Sequence, residues 1–110
     1  MIRHAIAADT ELANGSLRRV TVAGHDLCIA RSDDGEVFAI DDLCTHELAS
    51  LSDGDLLGRE IQCPLHNSRF DLATGEVRGL PATEGTVTYA TAIEDGVVYV
   101  YVEVDGDVDY

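Results

Sequence analysis

Two cysteines and two histidines in the middle of the chain have the types and the spacing of metal ligands. Cys44 and His46 stand two positions apart, Cys63 and His66 stand three apart, and sixteen residues separate the two pairs. Thiolates and imidazoles are ligands that proteins use for zinc and for iron–sulfur clusters. Two chemistries are therefore open: a structural zinc site, and a two-iron, two-sulfide cluster in which cysteines hold one iron and histidines the other.

The order of the ligands distinguishes these two chemistries. A Cys2His2 zinc finger pairs cysteine with cysteine and histidine with histidine, with a short helix between them. Here each short segment supplies one thiolate and one imidazole. That order suits two facing loops which each reach both irons of a dinuclear cluster, so the spacing favours the iron–sulfur cluster.

The pattern C-x-H followed by C-x-x-H is the Rieske pattern, and the flanking residues extend the match. The stretch "CPLHNSRFDLATGEV" runs from Cys63 to Val77, and "GLPA" runs from Gly79 to Ala82. On these motifs the chain resembles, over nearly its whole length, the small soluble Rieske ferredoxins of multicomponent ring-hydroxylating oxygenases.

The resemblance implies an all-β fold, the Rieske fold, with a smaller cluster-binding lobe inserted into an antiparallel, β-sandwich-like base. It also implies one [2Fe-2S] cluster, with Cys44 and Cys63 on the inner iron and His46 and His66 on the outer, solvent-near iron. In the family a proline loop covers the cluster, and Pro81 stands at that place.

A cluster held in this way carries electrons but binds no substrate. Each iron already has two sulfides and two protein ligands, so neither has an open position. The chain also has no glycine-rich strand-to-helix turn of the kind that binds nucleotides. We therefore expect an electron carrier rather than an enzyme. The resemblance implies that it passes electrons from an NAD(P)H-dependent, flavin-containing ferredoxin reductase to a terminal Rieske oxygenase.

Two other functions stay open at this point. A small Rieske subunit of a nitrite reductase, or of another redox complex, would hold the same cluster, whereas a structural zinc module would have no redox role. The high-potential, respiratory branch of the family carries two further cysteines that bridge the loops, and this chain has Ala49 and Leu65 at those places. The soluble ferredoxin branch is therefore favoured, and we expect a monomer.

Two residues that follow the second cysteine–histidine pair bear on the reduction potential of the cluster. In the resembled family, a serine two residues after the second histidine and a tyrosine two further on help to set it; this chain has Ser68 and Phe70. A hydroxyl that donates to a sulfur favours the reduced cluster, because that state is more negative. Phe70 cannot donate, which predicts a potential well below that of the high-potential branch.

The residues that flank the ligands predict a docking patch. Leu48 and Leu65 are apolar and adjoin the ligand pairs, the resemblance places Pro81 beside the cluster, and the acid Glu47 stands between His46 and Leu48. Electron transfer needs only a small, transient contact between proteins. We expect these residues to form an exposed apolar tip.

The strands that must hold these loops are short and are separated by glycine and aspartate turns, which is typical of an all-β domain. One hairpin is predicted from Asp26–Arg31 and Val37–Ile40, with its turn at Asp34-Gly35, and a second turns at Asp95-Gly96. A chain of 110 residues favours one domain, residues 1–110, with the cluster-binding lobe at about residues 42–82.

Alternation and position give the remaining structural predictions. In the last strand every second residue is valine, which places one face on the core: Val98, Val100, Val102 and Val104. Further strands are predicted at Leu17–Val22, at residues 3–7, and, within the lobe, at Glu60–Cys63 and Ser68–Asp71. No helix is predicted. Cys28 is expected in the core, and His4 and His25, which have no ligand-spaced partner, on the surface.

The charge of the chain limits its partners. There are 21 acidic residues against 7 arginines and no lysine, for a formal net charge of −14. Nucleic acid and anionic membranes are themselves polyanions, so neither is expected as a partner. The charge suits either solubility alone or steering toward a basic protein. With no apolar run of membrane-spanning or signal-peptide length, we expect a cytoplasmic protein.

Overall fold

The computed structural model describes residues 2–45, 48–65, 67–80 and 82–103. Within them the predicted all-β class is confirmed: eleven strands are joined by turns and by two single-turn 3-10 helices, Asp9–Glu11 and Leu51–Asp53. The strands are β1 Ile2–Ala8, β2 Ser16–Val22, β3 His25–Arg31, β4 Val37–Asp41, β5 Asp55–Leu57, β6 Glu60–Gln62, β7 Arg69–Asp71, β8 Val77–Gly79, β9 Thr88–Tyr89, β10 Thr91–Glu94 and β11 Val97–Val102. No helix in these ranges is long and apolar enough to cross a bilayer.

The strands form three antiparallel sheets. Two of them, β1-β11-β10 and β2-β3-β4-β9, make the base, and the third, β5-β6-β7-β8, is inserted between β4 and β9 along the chain. The third sheet lies within the predicted lobe. The fold prediction of a sandwich-like base with a smaller inserted lobe is thus confirmed, and the single-domain assignment of residues 1–110 stays a prediction.

Both predicted hairpins are present because their turns adopt backbone angles that suit a tight reversal. Gly35 has a φ of 92°, and Asp95 and Gly96 have φ values of 52° and 78°. Residues with positive φ match the twist of the strands on either side, and aspartate and glycine tolerate it best. The turn residues therefore fix the register of β3 with β4 and of β10 with β11.

The two central strands of the sheet β2-β3-β4-β9, namely β3 and β4, are buried on both faces, which creates two cores. Alternate residues of β3 point in opposite directions, so Leu27 and Ile29 pack toward the first sheet while Cys28 and Ala30 pack toward the lobe. We call these the base core and the lobe core. The predicted valine face of β11 lies in the base core, where Val98, Val100 and Val102 are at most 1% exposed; Val104 lies outside the described residues.

Candidate metal centre

Two loops of the lobe are closed in the same way at their cysteines. The backbone N–H of Cys44 donates to the carbonyl of Ala49 at 2.9 Å, and that of Cys63 donates to the carbonyl of Ser68 at 2.7 Å. In each loop the cysteine thus pairs with the residue five positions later. The Cys63–Ser68 hydrogen bond continues the register of β6 with β7, although β6 ends at Gln62 and β7 begins at Arg69, one residue short of the predicted Cys63 and Ser68.

Both cysteine side chains point into the lobe core. Cys44 is 3% exposed and Cys63 is 1% exposed, and both belong to one buried cluster with Leu51, Ile61 and Phe70. The fold therefore brings together the two thiols that the sequence predicted as ligands of one iron. Their two histidine partners, His46 and His66, lie outside the described residues.

A glycine allows the two loop regions to approach each other. Gly54 ends the 3-10 turn that follows the first loop, and its backbone faces Gln62, the residue before Cys63. A Cβ on Gly54 would lie 1.9 Å from the Gln62 carbonyl oxygen, a distance that no side chain can adopt. Only glycine permits this close approach, so Gly54 helps to position Cys63 beside the end of the first loop.

A third segment, after Pro81, is tied to both cysteine loops. The Ala82 N–H donates to Ser68 Oγ at 2.9 Å, in a fully buried hydrogen bond. The hydroxyl of Thr45 donates to the Glu84 carbonyl at 2.6 Å. One segment is therefore bonded to each of the two ligand loops. Pro81 itself, the predicted cover of the cluster, lies outside the described residues.

Exposed leucines flank the cysteine loops along the chain. Leu48 is 90% exposed and Leu65 is 46% exposed, as the docking prediction requires. The structure adds two neighbours that the sequence did not indicate, Leu43 at 55% and Leu80 at 79% exposed. Exposed leucines in this number indicate a contact surface, since scattered single residues would need no explanation. Glu47, the acid of the predicted tip, lies outside the described residues.

The third cysteine is buried and has no ligand-like position. Cys28 lies in mid-strand and is 0% exposed, which confirms the prediction of a core residue. Burial raises the pKa of its thiol to about 12, with a further contribution from the negative charge of Asp42. A thiol with so high a pKa stays protonated at neutral pH.

The other two histidines, His4 and His25, were expected on the surface but are each half-buried. His4 pairs with Val100 of β11, whose side chain is buried, so the imidazole lies toward the inner face and is half-buried. Its Nε2 is buried and has no hydrogen-bond partner among the described residues. His25 begins β3 and is also half-buried, with its ring centroid 6.3 Å from that of Tyr89. Alternation along β1 could have indicated the position of His4.

The donor set fits one half of an iron–sulfur cluster. Two buried thiols from separate loops suit one iron, and the apolar side chains around them limit access of water to that side. Sequence reasoning missed the polar residues that shape the first loop, namely Asp42, Thr45, Ser50 and Ser52. Their only signal in the sequence is their proximity to the first cysteine–histidine pair, within six residues of Cys44 or His46.

Comparison with known proteins assigns the chain to a group with this ligand pattern. Residues 3–90 match the Rieske [2Fe-2S] domain. The naphthalene 1,2-dioxygenase system ferredoxin component of Pseudomonas aeruginosa is 46% identical over 84 residues, which are 76% of this chain and 80% of that protein. The ferredoxin of carbazole 1,9a-dioxygenase from Nocardioides aromaticivorans IC177 superposes with a TM-score of 0.88 at 30% identity, covering 94% of this chain and 100% of the other. A chain in a complex of reduced oxygenase and oxidized ferredoxin of carbazole 1,9a-dioxygenase gives a TM-score of 0.85 at 35% identity, over 90% of this chain and 92% of that one.

Proposed function

The chain belongs to the Rieske [2Fe-2S] domain family, and from that premise we propose that it is a one-electron carrier with a single cluster. Cys44 and Cys63 hold the inner iron, and His46 and His66 hold the outer iron. The observation that carries this assignment is the convergence of two cysteines, from two loops with the same closure, in one buried core.

The ligand set determines what the site can do. When bound, the cluster supplies one-electron chemistry between a net charge of zero and −1, since two thiolates balance the +2 of two ferric ions and two sulfides. A four-cysteine cluster would cycle between −2 and −3, so the histidine ligands favour a higher potential. The buried thiols shield the inner side from water, and the exposed leucines around the loops provide the contact through which the electron leaves.

The partners follow from the relatives. The ferredoxin components of naphthalene and carbazole dioxygenase systems serve ring-hydroxylating oxygenases, and this chain does the same for an oxygenase of that class. Its electron comes from an NAD(P)H-dependent, flavin-containing ferredoxin reductase. The carrier works as a cytoplasmic monomer with one cluster per chain.

Two alternatives differ in their observable properties. A structural zinc module would be colourless, whereas an iron–sulfur protein is red-brown and bleaches on reduction. A subunit of a nitrite reductase would share the colour but not the partner. The relatives that are 44–46% identical to this chain over more than three quarters of its length are dioxygenase ferredoxins, which favours the oxygenase.

Rapid mixing with both partners tests the function. The oxidised protein is mixed anaerobically with NADH and the reductase of a naphthalene dioxygenase system, and then with the terminal oxygenase. We expect the visible absorbance to bleach in the first step and to return in the second. A protein that is coloured but is reoxidised only by a nitrite reductase would belong to the alternative.

Substitution of Phe70 by tyrosine is expected to raise the reduction potential. Phe70 is 0% exposed and lies in the lobe core with both cysteines, so an added hydroxyl would be buried near the sulfurs. A hydrogen bond to a charged group contributes about 1.5–3 kcal/mol, and the difference between redox states is about 1 kcal/mol of it. For one electron this is roughly 40 mV. Voltammetry of Phe70→Tyr measures the shift, and an unchanged potential with an intact visible spectrum would refute the hydroxyl account.

Substitution of Ser68 by alanine is expected to have two separable effects. The hydroxyl accepts the Ala82 N–H and keeps its own hydrogen available to a sulfur, so its loss should lower the potential by tens of millivolts, roughly 40 mV at most. It also leaves a buried N–H unpaired, at a cost of about 1–3 kcal/mol in stability. Ser32→Ala is the matched control, since Ser32 is equally buried but lies in the β3–β4 turn of the base. Equal potentials for the two variants would exclude a role of Ser68 toward the cluster.

A further inference from the structure

A buried carboxylate joins the two ends of the first cysteine loop. Asp42 is 3% exposed, and each of its oxygens has a partner. The Ser52 N–H donates to Oδ1 at 2.9 Å, and the Ser50 hydroxyl donates to Oδ2. Arg19 Nε lies 3.6 Å from the same Oδ2. The carboxylate therefore connects the strand that enters the loop to the turn that leaves it.

The backbone around Asp42 is fixed as firmly as its side chain. Its N–H donates to the Asp26 carbonyl at 3.0 Å, and its carbonyl accepts the Leu51 N–H at 2.6 Å. Leu43 and Ser50 form a β-bridge immediately above. The position of the charge is thus set by five contacts within the fold, and rearrangement of a flexible side chain cannot move it away.

The charge of Asp42 reaches the lobe core. After burial, it is the second cause of the raised pKa of Cys28, which shares the lobe core with Cys44 and Cys63. Asp42 also precedes Cys44 by two residues, so their Cα atoms are within about 7 Å of each other. Asp42 therefore lies close enough to the first ligand cysteine for its charge to act on a cluster bound there.

We propose that Asp42 is a positioning residue that joins the two ends of the first cluster loop and, through its fixed negative charge, lowers the reduction potential of the cluster. The proposal deepens the proposed function and rests on its placement of the cluster at Cys44 and Cys63. The added electron makes the cluster more negative, and a buried carboxylate disfavours that state because water screens it poorly.

Coulomb's law gives the size of the effect. A unit charge at roughly 10 Å, with an effective dielectric constant of about 20, changes a one-electron equilibrium about tenfold. Arg19 opposes part of this field, but its side chain is 57% exposed and its charge is therefore better screened. We expect Asp42→Asn to favour the reduced state by about three- to tenfold, which is a rise of about 30–60 mV.

Three substitutions separate the charge from the shape. Asn has the shape of Asp and can still accept the Ser52 N–H, so Asp42→Asn removes the charge and keeps most of the hydrogen bonds that hold the first loop. Arg19→Gln removes the opposing charge and should shift the potential in the other direction. Asp55→Asn is the matched control, because Asp55 is an exposed aspartate of the same lobe. A purely structural role of Asp42 would predict neither the sign of the first shift nor its reversal in Arg19→Gln.

Voltammetry of the loaded proteins, with the electron paramagnetic resonance signal of the reduced state as a check on the cluster, tests the proposal. The expected order of potentials is Asp42→Asn highest, then wild type and Asp55→Asn together, then Arg19→Gln. If Asp42→Asn changes the equilibrium between the oxidised and reduced cluster by less than about 1.5-fold, which is a shift of about 10 mV in the potential, the proposal is overturned. If the Asp42→Asn protein does not incorporate a cluster, the direction of the potential shift in Arg19→Gln decides. An unchanged or raised potential in Arg19→Gln rejects the proposal. A wild-type protein without iron and sulfide would instead overturn the proposed function.

Discussion

Substitution of Cys63 by alanine is expected to give a colourless protein without cluster iron, whereas Cys28→Ala is expected to keep the cluster and its colour. Both thiols are at most 1% exposed and lie in the same core, so burial does not distinguish them. Their positions do: Cys63 opens a loop at the end of β6, and Cys28 stands in the middle of β3 between two paired strands. Only the former can present its sulfur to a cluster held between loops.

The comparison of these two variants also controls for loss of packing. Removing one buried sulfur from Cys28 leaves a small cavity and should cost about 1 kcal/mol, or a few degrees in the temperature at which the cluster is lost. Iron content and visible absorbance measure cluster loading in both proteins, and Cys44→Ala should behave like Cys63→Ala. Wild-type absorbance in Cys63→Ala, or its absence in Cys28→Ala, would mean that the ligands are misassigned.

Electron transfer to the oxygenase is expected to slow about tenfold or more as the salt concentration rises from about 20 to about 500 mM, because screening shortens the reach of the acidic surface. Six of the seven arginines form ion pairs with acids of this chain, which cancels their charge locally: Arg3, Arg19, Arg31, Arg59, Arg69 and Arg78. Within the described ranges, Asp53 and Asp55 of the lobe have no such pair and are exposed. They are therefore the described acids of the lobe that a basic partner would meet without a competing ion pair.

Two double variants with the same change in net charge show which part of the acidic surface attracts the partner. Asp53→Asn with Asp55→Asn neutralises the lobe, and Asp33→Asn with Asp95→Asn neutralises two exposed turns of the base. Charges near a contact mainly change the association rate, so the lobe pair should reduce the low-salt rate about threefold and the base pair much less. A rate that is indifferent to salt in the wild type would show that the charge serves solubility only.

The parts of the fold that depend on short-range pattern could be predicted from the sequence. The turn at Asp34-Gly35, the hairpin at Asp95-Gly96 and the valine face of β11 each depend on neighbours within a few residues. Cys28 was predicted as a core residue because it stands among apolar residues in mid-strand. The pairing of one cysteine with one histidine in each loop is equally local, and it was enough to favour a dinuclear cluster.

The contacts that shape the site could not be predicted, because they join residues that are distant in the sequence. Ser68 bonds to Ala82 fourteen residues later, and Thr45 bonds to Glu84 thirty-nine residues later. Neither contact has a pattern that a single sequence displays. Asp42 is a similar case, since an aspartate beside a loop is usually solvated, and only the fold reveals that this one is buried.

The ligation of one iron by two imidazoles is the central claim, and nitrogen hyperfine coupling tests it most directly. The protein is produced with 15N-labelled histidine, reduced anaerobically by one electron per chain, and examined by electron–nuclear double resonance. The account predicts two directly coordinated 15N nuclei, with the coupling of one lost when His46 or His66 is replaced but neither changed when His4 or His25 is replaced. A reduced protein without nitrogen coupling, or a colourless protein that contains zinc, would contradict it.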